Sequence, residues 1–368
     1  VTDRRTQSLA PGALAVLEDG GRQVLGLVTV NTRSKIIARM LDRDAEAVVD
    51  QAWFAARLER ALAHRARLYL QPFYRLVHAE ADGLPGVVID RFGDVAVIQP
   101  NAAWAEAHLD ALVAALVAVT GVTTVIKNGQ GRVRSLEGLT EETAVVHGPA
   151  PTGPVQVPMN GAIYLADLLG GQKTGLFFDQ RENHAFAARL ARGARVLDVF
   201  AHVGGFGLAA LAGGAVSDFA VDASAPALAL ATGGAGASGF GDRFTTRQGD
   251  AFDVLEAFGA EGAQFDLVIC DPPAFAPAKP ALEAGLRAYE RVARLAAPLV
   301  APGGYLVLCS CSHAADLQAF RNASARGIGR GGRRGQLIHT GFAAPDHPVL
   351  PQLAETSYLK ALAFRLDG

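Results

Sequence analysis

The chain has 368 residues, half of them hydrophobic, with 34 lysines and arginines against 36 acids and a formal charge of -2. That length exceeds one ordinary core and predicts two or three domains, while the near-neutral balance excludes a uniformly basic protein, so contact with nucleic acid requires a local patch. Its three cysteines, Cys270, Cys309 and Cys311, have no CxxC spacing and no histidine cluster beside them, which argues against a zinc site or a disulfide framework and fits a reducing cytosol.

No cationic start followed by an apolar run is present, so no signal peptide is expected, and Val1 leaves an upstream segment open. Residues 1–50 read as a small β module, with strands Ala13 to Leu17, Val24 to Val30 and Lys35 to Leu41 around the turn Asp19-Gly20-Gly21. In the third strand Arg33, Lys35 and Arg39 share one parity, so these cations line one face, either to contact phosphates or as an ordinary solvated strand. Asp50 can cap a helix in which Trp53, Phe54, Leu58 and Leu62 recur at helical spacing. A hairpin follows, from Val87–Asp90 to Val95–Gln99, then an Ala-rich helix from Trp104 to Val119 and a strand from Thr123 to Lys127. These make an α+β domain over residues 51–150, and the stretch Gly148 to Pro154 reads as a linker.

From residue 155 to 368, strands Val196–Phe200, Phe219–Val221, Phe265–Ile269 and Gly304–Cys309 alternate with Ala-rich helical segments, the pattern of a doubly wound parallel sheet. Two long uncharged runs, Val199 to Ser217 and Leu295 to Ala315, are broken by glycines and prolines, and so read as buried strands and turns with no membrane span. Gly233–Gly239 and Gly327–Gly335, the latter beside Arg326, Arg330, Arg333 and Arg334, are too rich in glycine to be assigned as helices.

An apolar run with Asp198 and Phe200 at its end, followed by Gly204 and Gly205, predicts a strand feeding a helix N-terminus, where nucleotide-type ligands of parallel sheets collect. Gly204-Gly205-Phe206-Gly207 departs from the dinucleotide spacing, which disfavours a nicotinamide-dependent oxidoreductase. Asp222, followed by Ala223, ends the next strand; it can accept hydrogen bonds from ribose hydroxyls or cap the following helix. Asp250, followed by Ala251, is placed to reach an adenine amine. In Asp271-Pro272-Pro273-Ala274-Phe275, two prolines hold the backbone out of helical geometry, so the Asp271 carboxylate and the Phe275 ring can flank a planar substrate.

The order of these motifs resembles a class I S-adenosylmethionine-dependent methyltransferase. From about residue 11 onward the chain resembles the bacterial large-subunit rRNA cytosine-C5 methyltransferases that carry an N-terminal PUA domain. The resemblance rests on Ala79 to Asp94, Lys173 to Arg181, Ser310-Cys311-Ser312, and Asp346 to Val349 with Tyr358-Leu359-Lys360. It departs from the family in lacking a His-Pro-Trp-like opening, in its Gly-rich helix before residue 242, and in the Arg- and Gly-rich tract from Arg321 to Gly335.

The resemblance implies an α/β protein: a PUA-like β-barrel module (1–50), an α+β central domain (51–150) and a Rossmann-like methyltransferase domain with a mostly parallel seven-stranded sheet (155–368). The implied reaction moves a methyl group from S-adenosylmethionine to C5 of a cytosine in 23S rRNA through a cysteine thiolate added at C6. Cys311 falls at the family's nucleophile position, whereas Cys309 and Cys270, within apolar strands, read as buried structural thiols. Asp271 is implied to contact the cytosine N3/N4 edge beside Pro272, Pro273 and Phe275, and Gln180 and Arg181 to hold the cofactor carboxylate, with helix capping as the alternative for Arg181. Ala274 stands where many related enzymes carry a second cysteine, so adduct release must use another group or water. His202 and His313 lie near the site in sequence but are not ranked as catalytic. The expected partner is large-subunit rRNA in the cytoplasm, without membrane or metal, and a homodimer is left open. Competing readings are a methyltransferase acting on guanine or an exocyclic amine, and a non-catalytic RNA-binding assembly factor.

Overall fold

Residues 9–170, 175–353 and 357–367 are described in the computed structural model of this chain; Lys173 and Thr174 of the quoted motif fall outside them. Two units emerge: one runs to Val155 and takes in Asp167–Leu176 and Pro345–Leu350, and the other comprises the remaining segments.

The first unit opens with β1 (Ala13–Glu18), β2 (Val24–Val30) and β3 (Ala38–Asp42), an antiparallel three-stranded sheet in that order. No closed barrel forms among the described residues. The third strand is shorter than the sequence suggests, because residues 31–37 form a turn in which Asn31 Oδ1 accepts from the Arg33 amide at 3.1 Å. Arg33 and Lys35 therefore sit in that turn rather than on a strand face. Arg39 is on β3, but its guanidinium is engaged by Glu80 at 3.0 Å and Glu137 at 3.2 Å, so the expected row of three free cations does not exist.

Asp50 caps α1 (Gln51–Leu68) as expected, accepting from the Trp53 amide at 2.9 Å. There follow β4 (Phe73–His78), β5 (Val87–Phe92), β6 (Val95–Pro100), α2 (Ala103–Ala107), α3 (Leu109–Thr120), β7 (Thr124–Asn128), α4 (Arg132–Leu136) and β8 (Thr143–His147). The expected single helix after Trp104 is two, broken at His108. The five strands pair in chain order, and Phe54, Leu58, Trp104, Ile89 and Leu112 share the core beneath them. Segment 345–350 joins this unit through buried Arg65, which donates to the Asp346 carbonyl at 2.9 Å and chelates the Asp82 carboxylate at 2.6 and 2.7 Å.

The second unit contains the hairpin β9 (Val155–Met159) and β10 (Ala162–Ala166), then α5 (Arg181–Leu190), β11 (Arg195–Val199), α6 (Gly205–Ala212), β12 (Ser217–Asp222), α7 (Ala225–Ala237), β13 (Phe244–Gln248) and α8 (Ala251–Ala260). It continues with β14 (Phe265–Cys270), α9 (Leu282–Ala296), β15 (Val300–Ser310), α10 (Leu317–Arg330), β16 (Gly335–Gly341) and β17 (Lys360–Leu366). Seven strands order as β13-β12-β11-β14-β15-β17-β16; the pairings from β13 to β15 are parallel, and β17 runs antiparallel to both neighbours. The chain moves outward from β11 through β12 to β13 and then returns to the other side of β11 with β14. That reversal creates the crevice at the strand C-termini where open α/β sheets bind ligands.

The first unassigned glycine tract lies largely in α7, and the second begins in α10 and leaves it after Arg330. In α7 a Cβ on Gly234 would stand 2.8 Å from the Ile163 carbonyl, and one on Gly233 would stand 2.6 Å from Leu165, so glycine lets the helix lie directly on β10. α10 runs through Arg330 because Gly327 admits the Glu290 carbonyl of α9, which a Cβ would overlap. Glu290 then accepts from both Arg326 and Arg330, and Arg333 donates to the Asp367 carbonyl, so much of the Arg-rich tract is spent within the fold.

Candidate active site

In the turn between β11 and α6, Phe200, His202 and Gly204 all take positive φ, at 65°, 50° and 82°. Only the last is glycine, so the two others are strained and held by bonds from β12: the Val221 carbonyl accepts from the Ala201 amide, and the Asp222 carboxylate accepts from the His202 amide at 2.8 Å. The second Asp222 oxygen takes the Ser224 amide at 2.8 Å. Ser224 is the cap of α7, so the capping alternative for Asp222 is not what the chain uses; its carboxylate instead braces the turn at the mouth of the crevice, with Ala223 exposed beside it.

Gly205 begins α6 directly over the buried His184 ring, where a Cβ would lie 2.8 Å from Cε1 and Nε2. Burial, with Arg181 nearby, lowers the His184 pKa to about 3, so this ring is neutral. Asp198 is fully buried under the same helix and accepts the Gly207 amide through Oδ2 at 2.9 Å, while Oδ1 has no hydrogen-bond partner. Burial raises its pKa to about 7, and the charge of Asp222 adds to the shift. Asp218, buried on β12 with both oxygens unpartnered, is raised further by the same cause and by Asp198. Sequence reasoning misses Asp218.

Asp250 is exposed at the head of α8, which it caps through Oδ1, accepting from the Phe252 and Asp253 amides; Ala251, the first residue of the helix, is buried. Gln180 and Arg181 are buried where α5 begins, with Asp179 before them taking the Tyr358 hydroxyl at 2.5 Å.

Beyond the end of β14, Asp271 is half-buried and its amide donates to the Val199 carbonyl at 3.2 Å, which joins it to the neighbouring strand end. Pro272 is buried and Pro273 exposed. Phe275 enters an aromatic cluster, its ring centroid 5.0 Å from Tyr289, 6.2 Å from Phe252 and 6.4 Å from Phe200. The cluster links the turn after β11, the head of α8 and the Asp-Pro-Pro turn in space.

Cys311 follows the last residue of β15 and is half-buried, whereas Cys270 and Cys309 are fully buried. Burial pushes both of those thiols up, further disfavouring ionisation. The residues flanking Cys311 are tightly held: the Ser310 hydroxyl donates to Tyr289 at 2.9 Å, the Tyr289 and Ser312 hydroxyls are 2.7 Å apart, and the Ala276 amide donates to Ser312 Oγ at 2.9 Å. Lys360 binds the other side of the same turn. Sequence reasoning singles out neither Tyr289 nor Lys360 as a site residue, although Lys360 has a signal as the one charge opening the apolar run Ala361–Phe364. His313 is exposed, its ring 5.3 Å from Tyr358. No cluster able to hold a metal ion occurs among the described residues, and no described helix is long and apolar enough to cross a membrane.

Comparison with known proteins is consistent with this geometry. The profile of the S-adenosylmethionine-dependent methyltransferase family matches residues 104–365. Ribosomal RNA large subunit methyltransferase I of Aeromonas hydrophila is 38% identical over 338 residues, covering 90% of this chain and 85% of the relative. The protein of the same name from Alteromonas mediterranea is 37% identical over 351 residues, covering 94% and 88%. In fold the chain is similar to SMU.776, solved in complex with SAH, at a TM-score of 0.84 with 21% identity, covering 98% of this chain and 94% of that one. The tRNA m1G37 methyltransferase of M. jannaschii matches less closely, at 0.53 with 14% identity and coverage of 97% and 92%.

Proposed function

We propose a reaction for this chain, which belongs to the S-adenosylmethionine-dependent methyltransferase family: transfer of a methyl group to C5 of a cytosine in large-subunit rRNA through a Cys311 adduct. The cofactor is S-adenosylmethionine, which supplies a methyl group made electrophilic by its sulfonium. The relatives support the rRNA substrate by their name. The observation that carries the cytosine reading is Cys311, the one half-buried thiol of three, held just past β15 by neighbours that are themselves anchored.

The residues present fit the cofactor. Gly204 and Gly205 let the turn after β11 pack tightly, since a Cβ would crowd Leu208 and Ala231 at the first and the His184 ring at the second, and the α6 N-terminus that follows offers backbone amides to an anionic group. Asp222, braced by two amides, keeps lone pairs for ribose hydroxyls, and Asp250 keeps Oδ2 for the adenine amine. Asp198, Phe200, Ala223 and Ala251 shape the surrounding wall, and Gln180 with Arg181 would hold the amino-acid end.

On the substrate side, Cys311 thiolate adds to C6 of the cytosine and forms the S–C6 bond. The displaced π electrons make C5 nucleophilic, helped by Asp271 at the N3/N4 edge. C5 takes the methyl group, with S-adenosylhomocysteine as the leaving group; another group or water takes the C5 proton, and the C–H electrons restore the C5–C6 double bond and expel the thiolate. Pro272, Pro273 and Phe275 hold the base, which must leave its stack to reach the thiol. Arg33 and Lys35 are proposed for phosphate contact, with the 1–50 segment as a PUA-like RNA module ahead of a central 51–150 region and a 155–368 catalytic domain. Arg39 is engaged by Glu80 and Glu137, so the phosphate contact is assigned first to Arg33 and Lys35.

Cys311→Ala tests the reading. Purified variant should bind S-adenosylmethionine in calorimetry like the parent yet transfer no methyl to rRNA. Full turnover by the variant would move the chemistry to a guanine or an exocyclic amine, which needs no thiol.

A further inference from the structure

Lys360 opens β17 opposite Ser310 and is buried. A buried ammonium requires partners for its hydrogens, and Nζ donates to the carbonyls of Ser312 and Ala315, both at 2.7 Å. Neither partner is a carboxylate, so the positive charge is solvated by peptide dipoles and not cancelled in contact. Both carbonyls belong to the turn that leaves Cys311. From the opposite side, Tyr289 and the Ala276 amide hold the Ser310 and Ser312 side chains. Cys311 is thus the one member of Ser310-Cys311-Ser312 whose neighbours are fixed from α9, from the loop after β14 and from β17.

Cys311 interacts electrostatically with Cys309 on its own strand, with Tyr289 from α9 and with Lys360 from β17, and Asp316 at the head of α10 also acts on Lys360. Asp271, from the end of β14, acts on Cys309. Lys360 is the cation of this set. Burial lowers its pKa, and Cys311 and Asp316 oppose that shift.

Resting on the reading of Cys311 as nucleophile, we propose that Lys360 is its positioning residue: the ammonium pins the 312–315 turn and supplies the positive charge that favours thiolate over thiol. Lysine makes and breaks no bond in this role; the proton leaving Cys311 passes to solvent.

The test is alkylation of the full chain by iodoacetamide from pH 5.5 to 9.5, roughly three units below to one unit above an ordinary thiol midpoint, read at Cys311 by peptide mass. Cys270 and Cys309 are buried and report unfolding if they react. The parent should ionise Cys311 below the ordinary thiol value of about 8.5. Lys360→Met should raise that midpoint, slowing alkylation at neutral pH about tenfold, while Lys360→Arg keeps it near the parent. A parent midpoint at or above the ordinary value overturns the proposal even if Lys360→Met fails to fold. So does a folded Lys360→Met with the parent midpoint, or an equal shift in both variants, which would mean packing without charge. The reading of Cys311 is judged separately: methylation by Cys311→Ala removes the nucleophile, whatever the thiol midpoint shows.

Discussion

Asp218 shows how one residue can stay silent in sequence and still shape the site. It is an acid in an apolar strand, and β12 places it diagonally from Asp198, which pairs with Ala220, under the start of α6. A Cβ on Gly207 would overlap Asp218 Oδ2, so that glycine is required by the carboxylate behind it. Since burial raises the folded-state pKa of Asp218, the folded protein holds a proton that the unfolded chain releases above the ordinary carboxylate value. Its contribution to stability is therefore present at low pH and lost as pH rises. In Asp218→Asn, the stability lost between about pH 5 and pH 8 in urea titrations should shrink by up to about 1.4 kcal/mol per pH unit; an unchanged slope would mean that the carboxylate is ionised in the fold. Cys311, by contrast, is singled out from the sequence through the family resemblance, at Ser310-Cys311-Ser312 just past an apolar strand. Lys360 is legible as part of the Tyr358-Leu359-Lys360 motif but its role is not, since its partners lie 45 and 48 residues earlier in the chain.

At the scale of elements, glycine content misleads where packing decides. α7 carries Gly233, Gly234 and Gly236 within one helix, against local propensity, because its face lies on β10. The three positions are not equivalent. A Cβ on Gly236 would meet nothing within 4 Å, so Gly236→Ala should stabilise by about 1 kcal/mol. Gly234→Ala should destabilise despite the same gain in propensity, since its Cβ would stand 2.8 Å from the Ile163 carbonyl. Thermal unfolding of the pair checks this, and equal shifts would show that β10 does not constrain the helix. Strand boundaries fail in a similar way: alternation in Arg33, Lys35 and Arg39 suggests a face, but an Asn31 turn ends the alternation before the strand begins.

At the scale of the whole molecule, the methyltransferase sheet is legible because apolar runs mark β11, β12, β14 and β15, the first three with acids at or just past their ends, whereas β13, Phe-Thr-Thr-Arg-Gln, carries no such run. The antiparallel β16 and β17 and the β9–β10 hairpin carry no such punctuation and cannot be read the same way. The return of residues 345–350 to the first unit is also hidden, because it depends on Arg65 meeting Asp346 across 281 residues of sequence. The proposed reaction needs the Cys311 thiol, the cofactor crevice and the Asp-Pro-Pro turn to act together on one base. The most direct test is incubation with S-adenosylmethionine and a large-subunit rRNA fragment containing 5-fluorocytosine, followed by a denaturing gel. Fluorine blocks loss of the C5 substituent, so the account predicts a protein–RNA band that survives denaturation, requires the cofactor and disappears in Cys311→Ala. Absence of the band in the parent, or its persistence in Cys311→Ala, would contradict the account.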